Sequence, residues 1–165
     1  MQNIILVGMP SCGKSTVGVV LAKTVNKGFV DTDLLIQQRE KKTLQEIINS
    51  SGNEYFHQVE ESVLLDFEGE DCVIATGGSA IYFDRAMEKF KEKGIIIYLQ
   101  VTLDTVFERL SNIKTRGVTL EKGQTLADLY EQRVPLYEKH ADVTVVCDGC
   151  TVEEVVEKIV AAQGY

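Results

Sequence analysis

Five short runs of near-continuous apolar residues punctuate the chain, at positions 3–7, 28–30, 72–75, 94–99 and 142–146, each bounded by Gly, Asp or Asn. Between them the period changes. Residues 14–26 place Val17, Leu21 and Val25 at four-residue spacing, and 43–50, 54–67, 84–93, 103–110 and 126–140 also alternate polar and apolar positions at helical period. A last helix is predicted over 152–162, because Thr151 followed three residues on by Glu154 is a capping-box pair. Strands that are apolar throughout have both faces covered, and strands that alternate with helices pair in parallel. The pattern predicts an α/β fold in three layers, with helices on both faces of a five-stranded parallel sheet.

One polar, Gly-containing stretch interrupts the series: SNIKTRGVTLEKGQT, positions 111–125. A loop that long inside a compact domain is usually functional or disordered, and a mobile lid over 112–124 is the expectation. The 165 residues suit one domain, large enough to bury a core without staples. A net charge of −8, no Trp and 7% aromatic residues argue against nucleic acid, which is bound through clustered Lys and Arg and through stacking rings. A few converging cations can still hold one small anion. The longest apolar run, 95–99, is far short of a membrane span, and no basic leader precedes the first strand. The expectation is a cytoplasmic monomer acting on a small molecule, with no membrane or nucleic-acid partner. Its four cysteines are then reduced thiols.

Gly8-Met9-Pro10-Ser11-Cys12-Gly13-Lys14-Ser15 fits G-x-x-x-x-G-K-[ST] in full, after the first strand and opening the first helix. Glycines let the backbone curl so that successive N–H groups, those of Gly8, Ser11, Cys12, Gly13, Lys14, Ser15 and Thr16 among them, point inward at phosphates. The helix that starts at Lys14 adds partial positive charge. Lys14 reaches the outer phosphates, and the Ser15 hydroxyl ligates Mg²⁺. The strand and helix on either side separate this motif from a chance match in a Gly-rich turn. ATP with Mg²⁺ is the expected cofactor.

A GTPase would carry N-K-x-D after a later strand, and none is present. A motor ATPase would end its third strand on a carboxylate, whereas this one runs Val73-Ile74-Ala75-Thr76-Gly77-Gly78-Ser79. Small-molecule kinases remain, which take metal and acceptor ligands from the end of the second strand. That strand ends Asp31-Thr32-Asp33. On an extended chain these carboxylates would face opposite ways, Asp31 toward Mg²⁺ and Asp33 toward an acceptor hydroxyl. The plainer reading is a turn that caps the next helix, a task Asp33 could share.

With these residues in place the sequence resembles the shikimate kinase family, within the nucleoside-monophosphate-kinase-like P-loop fold, from Ile4 to about Val160. The resemblance rests on the phosphate loop, Asp31-Thr32-Asp33, Phe56 with Glu60, Thr76-Gly77-Gly78, Arg116, and Arg133-Val134-Pro135-Leu136-Tyr137. It implies transfer of the γ-phosphoryl group of ATP to a hydroxyl of shikimate, giving shikimate 3-phosphate for aromatic amino-acid biosynthesis. It also implies a helical acceptor-binding segment at about 34–61. Lys14, Asp33 and Arg116 would be catalytic, with Asp33 binding acceptor hydroxyls and helping take the proton. Arg116 would swing in with the lid, and Arg109 would lie near the adenine. Gly77, Gly78 and Ser79 would present backbone groups to the acceptor, and Arg133 would hold its carboxylate beside His57 and Glu60.

Three positions depart from the family pattern. An arginine that follows the phenylalanine there, paired with the glutamate, is His57 here; the third glycine of the turn is Ser79; the lid arginine is followed by Gly117 rather than proline. A neutral imidazole offers one donor where a guanidinium offers a fork. Two readings follow for His57: charge pairing with Glu60 keeps it cationic, or the acceptor differs from shikimate near its acid group. A lone histidine is otherwise an ordinary helix-surface residue. The rivals are a sister kinase of another hydroxylated acid or polyol, and a non-catalytic ATP-binding module, which the intact set of functional residues disfavours. Cys147-Asp148-Gly149-Cys150 has no second ligand pair, so it reads as a turn rather than zinc, at the rim of the adenine pocket by the resemblance. His140 reads as a helix-end residue.

Overall fold

The computed structural model describes residues 2–111 and 120–164. Strands β1 (Asn3–Val7), β2 (Gly28–Asp31), β3 (Cys72–Ala75), β4 (Gly94–Gln100) and β5 (Val143–Val146) form one parallel sheet in the order β2-β3-β1-β4-β5. Each lies within one residue of the run the sequence marks. β1 is buried at all five positions, and Ile96 through Leu99 of β4 are nearly inaccessible, as both-face coverage demands. The helices are α1 (Lys14–Val25), α2 (Thr32–Glu40), α3 (Leu44–Asp66), α4 (Asp84–Lys93), α5 (Leu103–Ser111), α6 (Leu126–His140) and α7 (Val152–Gln163). Among the described residues none is long and apolar enough to cross a membrane.

Helix α3 contains two of the predicted helices. Thr43 and Glu46 close a capping box at its start, and Gly52, at φ 85° and ψ 170°, breaks it midway. A side chain on Gly52 would meet nothing, so the backbone angle, not space, calls for glycine there. Helix α2 has no periodic signature because only Thr32 and Ile36 of its nine residues are buried. It and α3 share a small apolar cluster, Ile36, Ile47, Phe56, Val59 and Val63, apart from the main core. That cluster gives residues 32–66 a packing unit of their own beside the sheet.

The sheet order places the functional loops. The chain steps from β1 outward to β2, returns to β3 beside β1, and then crosses to β4 on the other side. Between β1 and β3 the connections leave in opposite directions, and the crevice at the carboxyl ends of those strands is where such sheets bind ligands. Thr76 locks the crevice floor, its N–H and hydroxyl both donating to the Leu6 carbonyl at 3.2 and 2.9 Å.

Candidate active site

The phosphate loop leaves β1 and curls as its glycines predict. A Cβ on Gly8 would strike Cys12 Sγ and the Leu99 carbonyl at 2.8 Å, and Gly13 sits at φ 101°. Ser11 takes φ 65°, an uncommon angle for a residue with a side chain. Lys14, buried, donates to the Gly8 and Met9 carbonyls at 2.7 and 2.9 Å, so its ammonium lies inside the curl. From α5, Arg109 Nη1 donates to the Ser11 carbonyl at 3.0 Å. Backbone donors, the α1 N-terminus and one enclosed ammonium form a cradle that fits a polyphosphate.

Ser15 Oγ donates to Asp31 Oδ2 at 2.8 Å, joining the start of α1 to the end of β2. A hydroxyl and a carboxylate so paired beside a phosphate cradle fit Mg²⁺, which takes one or two protein ligands and fills its shell with phosphate oxygens and water. No cluster of three or more His, Cys, Asp or Glu ligands occurs among the described residues, and none is needed for this ion. The other Asp31 oxygen accepts the Asp33 N–H at 2.9 Å, which makes Asp31 the N-cap of α2. The chain is therefore not extended through Asp33: it turns helical at Thr32, and the cap is Asp31, not Asp33. The two carboxylates still diverge, because one lies on strand backbone and the other in the first helical turn.

Beyond the phosphate loop the same cavity, about 540 Å³, extends over Asp33, Glu60, Gly77, Gly78, Ser79 and Arg133. The two glycines are close-approach positions. A Cβ on Gly77 would lie 2.8 Å from both Asp33 Oδ1 and Glu60 Oε2, and one on Gly78 would lie 2.7 Å from Arg133 Nη1. Arg133, 2% exposed, is aimed by Tyr82, whose hydroxyl accepts from Nε at 3.2 Å and whose ring lies 5.3 Å from the guanidinium. Tyr137, one helical turn on, donates to the Gly78 carbonyl at 2.6 Å and stacks on Tyr98. Burial pushes the Tyr137 phenol above its usual range, so it stays a donor. Gly77 is held from the other side, its N–H donating to Thr32 Oγ1 at 3.2 Å.

Most of the site residues predicted from sequence converge here, with differences in placement. Ser11, Gly13, Lys14, Ser15, Thr16 and Asp31 line the phosphate end, while Gly8, Cys12 and Arg109 support it from behind. His57 is not on the cavity wall. Its ring packs on Phe56 and edge-on to Phe83, with Nδ1 3.8 Å from Glu60 Oε1. Arg116 and Gly117 lie outside the described residues. Thr32 lies inside the Asp31-Thr32-Asp33 triplet, which gave it no role of its own; Gln37, Tyr82 and Gln45 sit in no motif, and only tertiary packing brings them in. Cys147 and Cys150 flank a turn between β5 and α7, and Asp148 between them accepts from Thr102 and Thr105 at the start of α5. His140 ends α6, bonded to Asp84 at 2.9 Å.

The chain has the likeness that this geometry suggests. A family model described as "Shikimate kinase" matches residues 10–163. A shikimate kinase of Thermodesulfovibrio yellowstonii is 35% identical over 163 residues, covering 97% of this chain and 94% of that one. The structure of shikimate kinase from Acinetobacter baumannii in complex with shikimate superposes with a TM-score of 0.91 at 31% identity, covering 99% of this chain and 93% of that one. That of Aquifex aeolicus gives 0.86 at 32%, covering 99% and 96%. On a match of that extent, the chain belongs to the shikimate kinase family.

Proposed function

We propose that the protein transfers the γ-phosphoryl group of ATP to a hydroxyl of shikimate. The observation that carries this reading is one cavity in which a phosphate cradle at one end faces a carboxylate and a buried arginine at the other. A shikimate-bound relative of the same fold supports the choice of acceptor. ATP would lie with its phosphates in the loop from Gly8 to Thr16, and Mg²⁺, supplying charge neutralisation when bound, would be held by Ser15 and Asp31. Lys14 would exchange its carbonyl partners for the outer phosphate oxygens. Arg116, if the segment 112–124 closes as a lid, would add charge there.

At the acceptor end, Arg133 would hold the carboxylate and the Gly77–Gly78 turn would seat the ring. Asp33 Oδ1, beside Gly77, would accept the proton as the acceptor oxygen bonds to phosphorus and the bond to ADP breaks. Such a transfer needs positioning and charge neutralisation more than covalent help.

Coupled ADP release with shikimate and a panel of other hydroxy acids and polyols tests the reading. Shikimate-dependent turnover is expected, falling about 100-fold or more in Asp33→Asn. Faster turnover of another acceptor would move the substrate to a sister compound. ATP binding with no turnover of any acceptor would overturn the kinase reading itself.

A further inference from the structure

Glu60 is 1% exposed, and its two oxygens have unlike surroundings. Oε1 accepts a hydrogen bond from Ser79 Oγ at 2.5 Å, and His57 Nδ1 addresses the same oxygen from 3.8 Å, too far for a hydrogen bond. Oε2 is buried and has no hydrogen-bond partner among the described residues. It lies 2.8 Å from the point where a Gly77 Cβ would be, as does Asp33 Oδ1, so the two carboxylate oxygens are at most twice that distance apart. Both Asp33 and Glu60 line the cavity.

A buried carboxyl oxygen without a donor is costly, and such groups in folded proteins find a partner. The partner it lacks can come from the acceptor end of the cavity, which Glu60 lines together with Gly77 and Asp33. A glutamate has three rotatable torsions, and with Oε1 unpinned the carboxyl could turn away from that end. The group that pins it is Ser79, from the turn after β3. His57 is 31% exposed and beyond bonding distance, so it does not do this work.

Resting on the kinase reading above, we propose that Ser79 is a positioning residue for the acceptor. Its hydroxyl fixes Glu60 so that Oε2, beside Asp33 Oδ1, accepts from a second hydroxyl of the same molecule. The site then prefers acids with two neighbouring ring hydroxyls over acids that carry only the one to be phosphorylated.

The test is steady-state kinetics of wild type, Ser79→Ala, Ser79→Gly, Glu60→Gln and the Ser79→Ala/Glu60→Gln double variant, each with shikimate and with an analogue lacking the neighbouring hydroxyl. Loss of Ser79 should raise the shikimate KM about tenfold, with kcat and the ATP KM within about twofold of wild type. The analogue's KM should barely move, and the Ser79 change should add nothing on top of Glu60→Gln. A purely structural role would move both acceptors and ATP together. Ser79→Gly serves if Ser79→Ala fails to fold, since φ −87° at this position suits any residue. Unchanged shikimate KM in the Ser79 variants, or equal losses for shikimate and analogue, overturns the proposal. If wild type ignores shikimate, the substrate reading falls separately, and the same comparison is read with whichever panel acceptor turns over. If none does, both fall.

Discussion

At the scale of single residues, the acceptor end is short of positive charge. Among the described lining residues the cations are Lys14 and Arg133, against Asp31, Asp33 and Glu60. Arg133 is fixed by Tyr82 on one side and by the absence of a Gly78 side chain on the other. His57 Nδ1 lies 3.8 Å from Glu60 Oε1, and an arginine there would offer a longer side chain and a permanent charge beside the acceptor end. His57→Arg is expected to lower the shikimate KM about tenfold, the size of one charge-assisted hydrogen bond, with little change in kcat. An unchanged KM would mean that Arg133 alone holds the carboxylate. The sequence made the motif residues legible because each motif is contiguous and its chemistry is local. It could not show that Ser79 pins Glu60 across 19 positions, or that Tyr82 aims Arg133 across 51. Those contacts exist only once β3, α3 and α6 have packed.

At the scale of elements, Asp31 has two tasks that the sequence kept apart as alternatives. Oδ1 caps α2 through the Asp33 N–H, and Oδ2 accepts from Ser15 beside the phosphate loop. Separate substitutions can divide these tasks. Asparagine caps as well as aspartate, whereas alanine costs about 1 kcal/mol at such a position. Asp31→Asn should therefore keep the melting temperature while raising the Mg²⁺ concentration needed for half-maximal activity. Asp31→Ala should lose on both counts. Equal Mg²⁺ dependence in wild type and Asp31→Asn would remove Asp31 from the metal site. The cap also explains why α2 was hard to foresee. Its apolar face is little more than Ile36, so the helix owes its start to Asp31 and its burial to α3, not to a repeating pattern.

The small core between α2 and α3 makes a related prediction. Phe56 is 2% exposed, both a member of that cluster and a cavity-lining residue. Phe56→Ala should destabilise the protein by about 3–5 kcal/mol and raise the acceptor KM more than the ATP KM, because the phosphate loop belongs to the other core. Denaturant unfolding combined with the two KM values checks it. Equal effects on both KM values would mean that the two cores do not separate acceptor from nucleotide.

Across the whole molecule, the acceptor segment must be joined to the sheet body by something firm, and α3 is that join. Ile47, Phe56, Val59 and Val63 along it carry the segment's own core, Leu64 belongs to the main core, and the helix packs against α4. There Lys89 and Lys93 of α4 both pair with Glu68, just past the end of α3, and Lys89 Nζ also donates to the Leu65 carbonyl. Hydrogen bonds from Lys89 and then Lys93, with their charge, hold the Glu68 carboxyl down at about 2. A depressed folded-state value means that the clamp contributes fully above the unfolded glutamate range, near pH 4.5, and is lost as pH falls toward 2. Glu68 is exposed, so the effect is small and salt screens it. Glu68→Gln should melt about 1–2 °C below wild type at pH 7, with the gap closing between pH 4.5 and 2 and narrowing in 1 M salt. A gap that persists at pH 2 would mean that glutamine disturbs packing at the α3–α4 junction, and that this join does not depend on the carboxylate's charge.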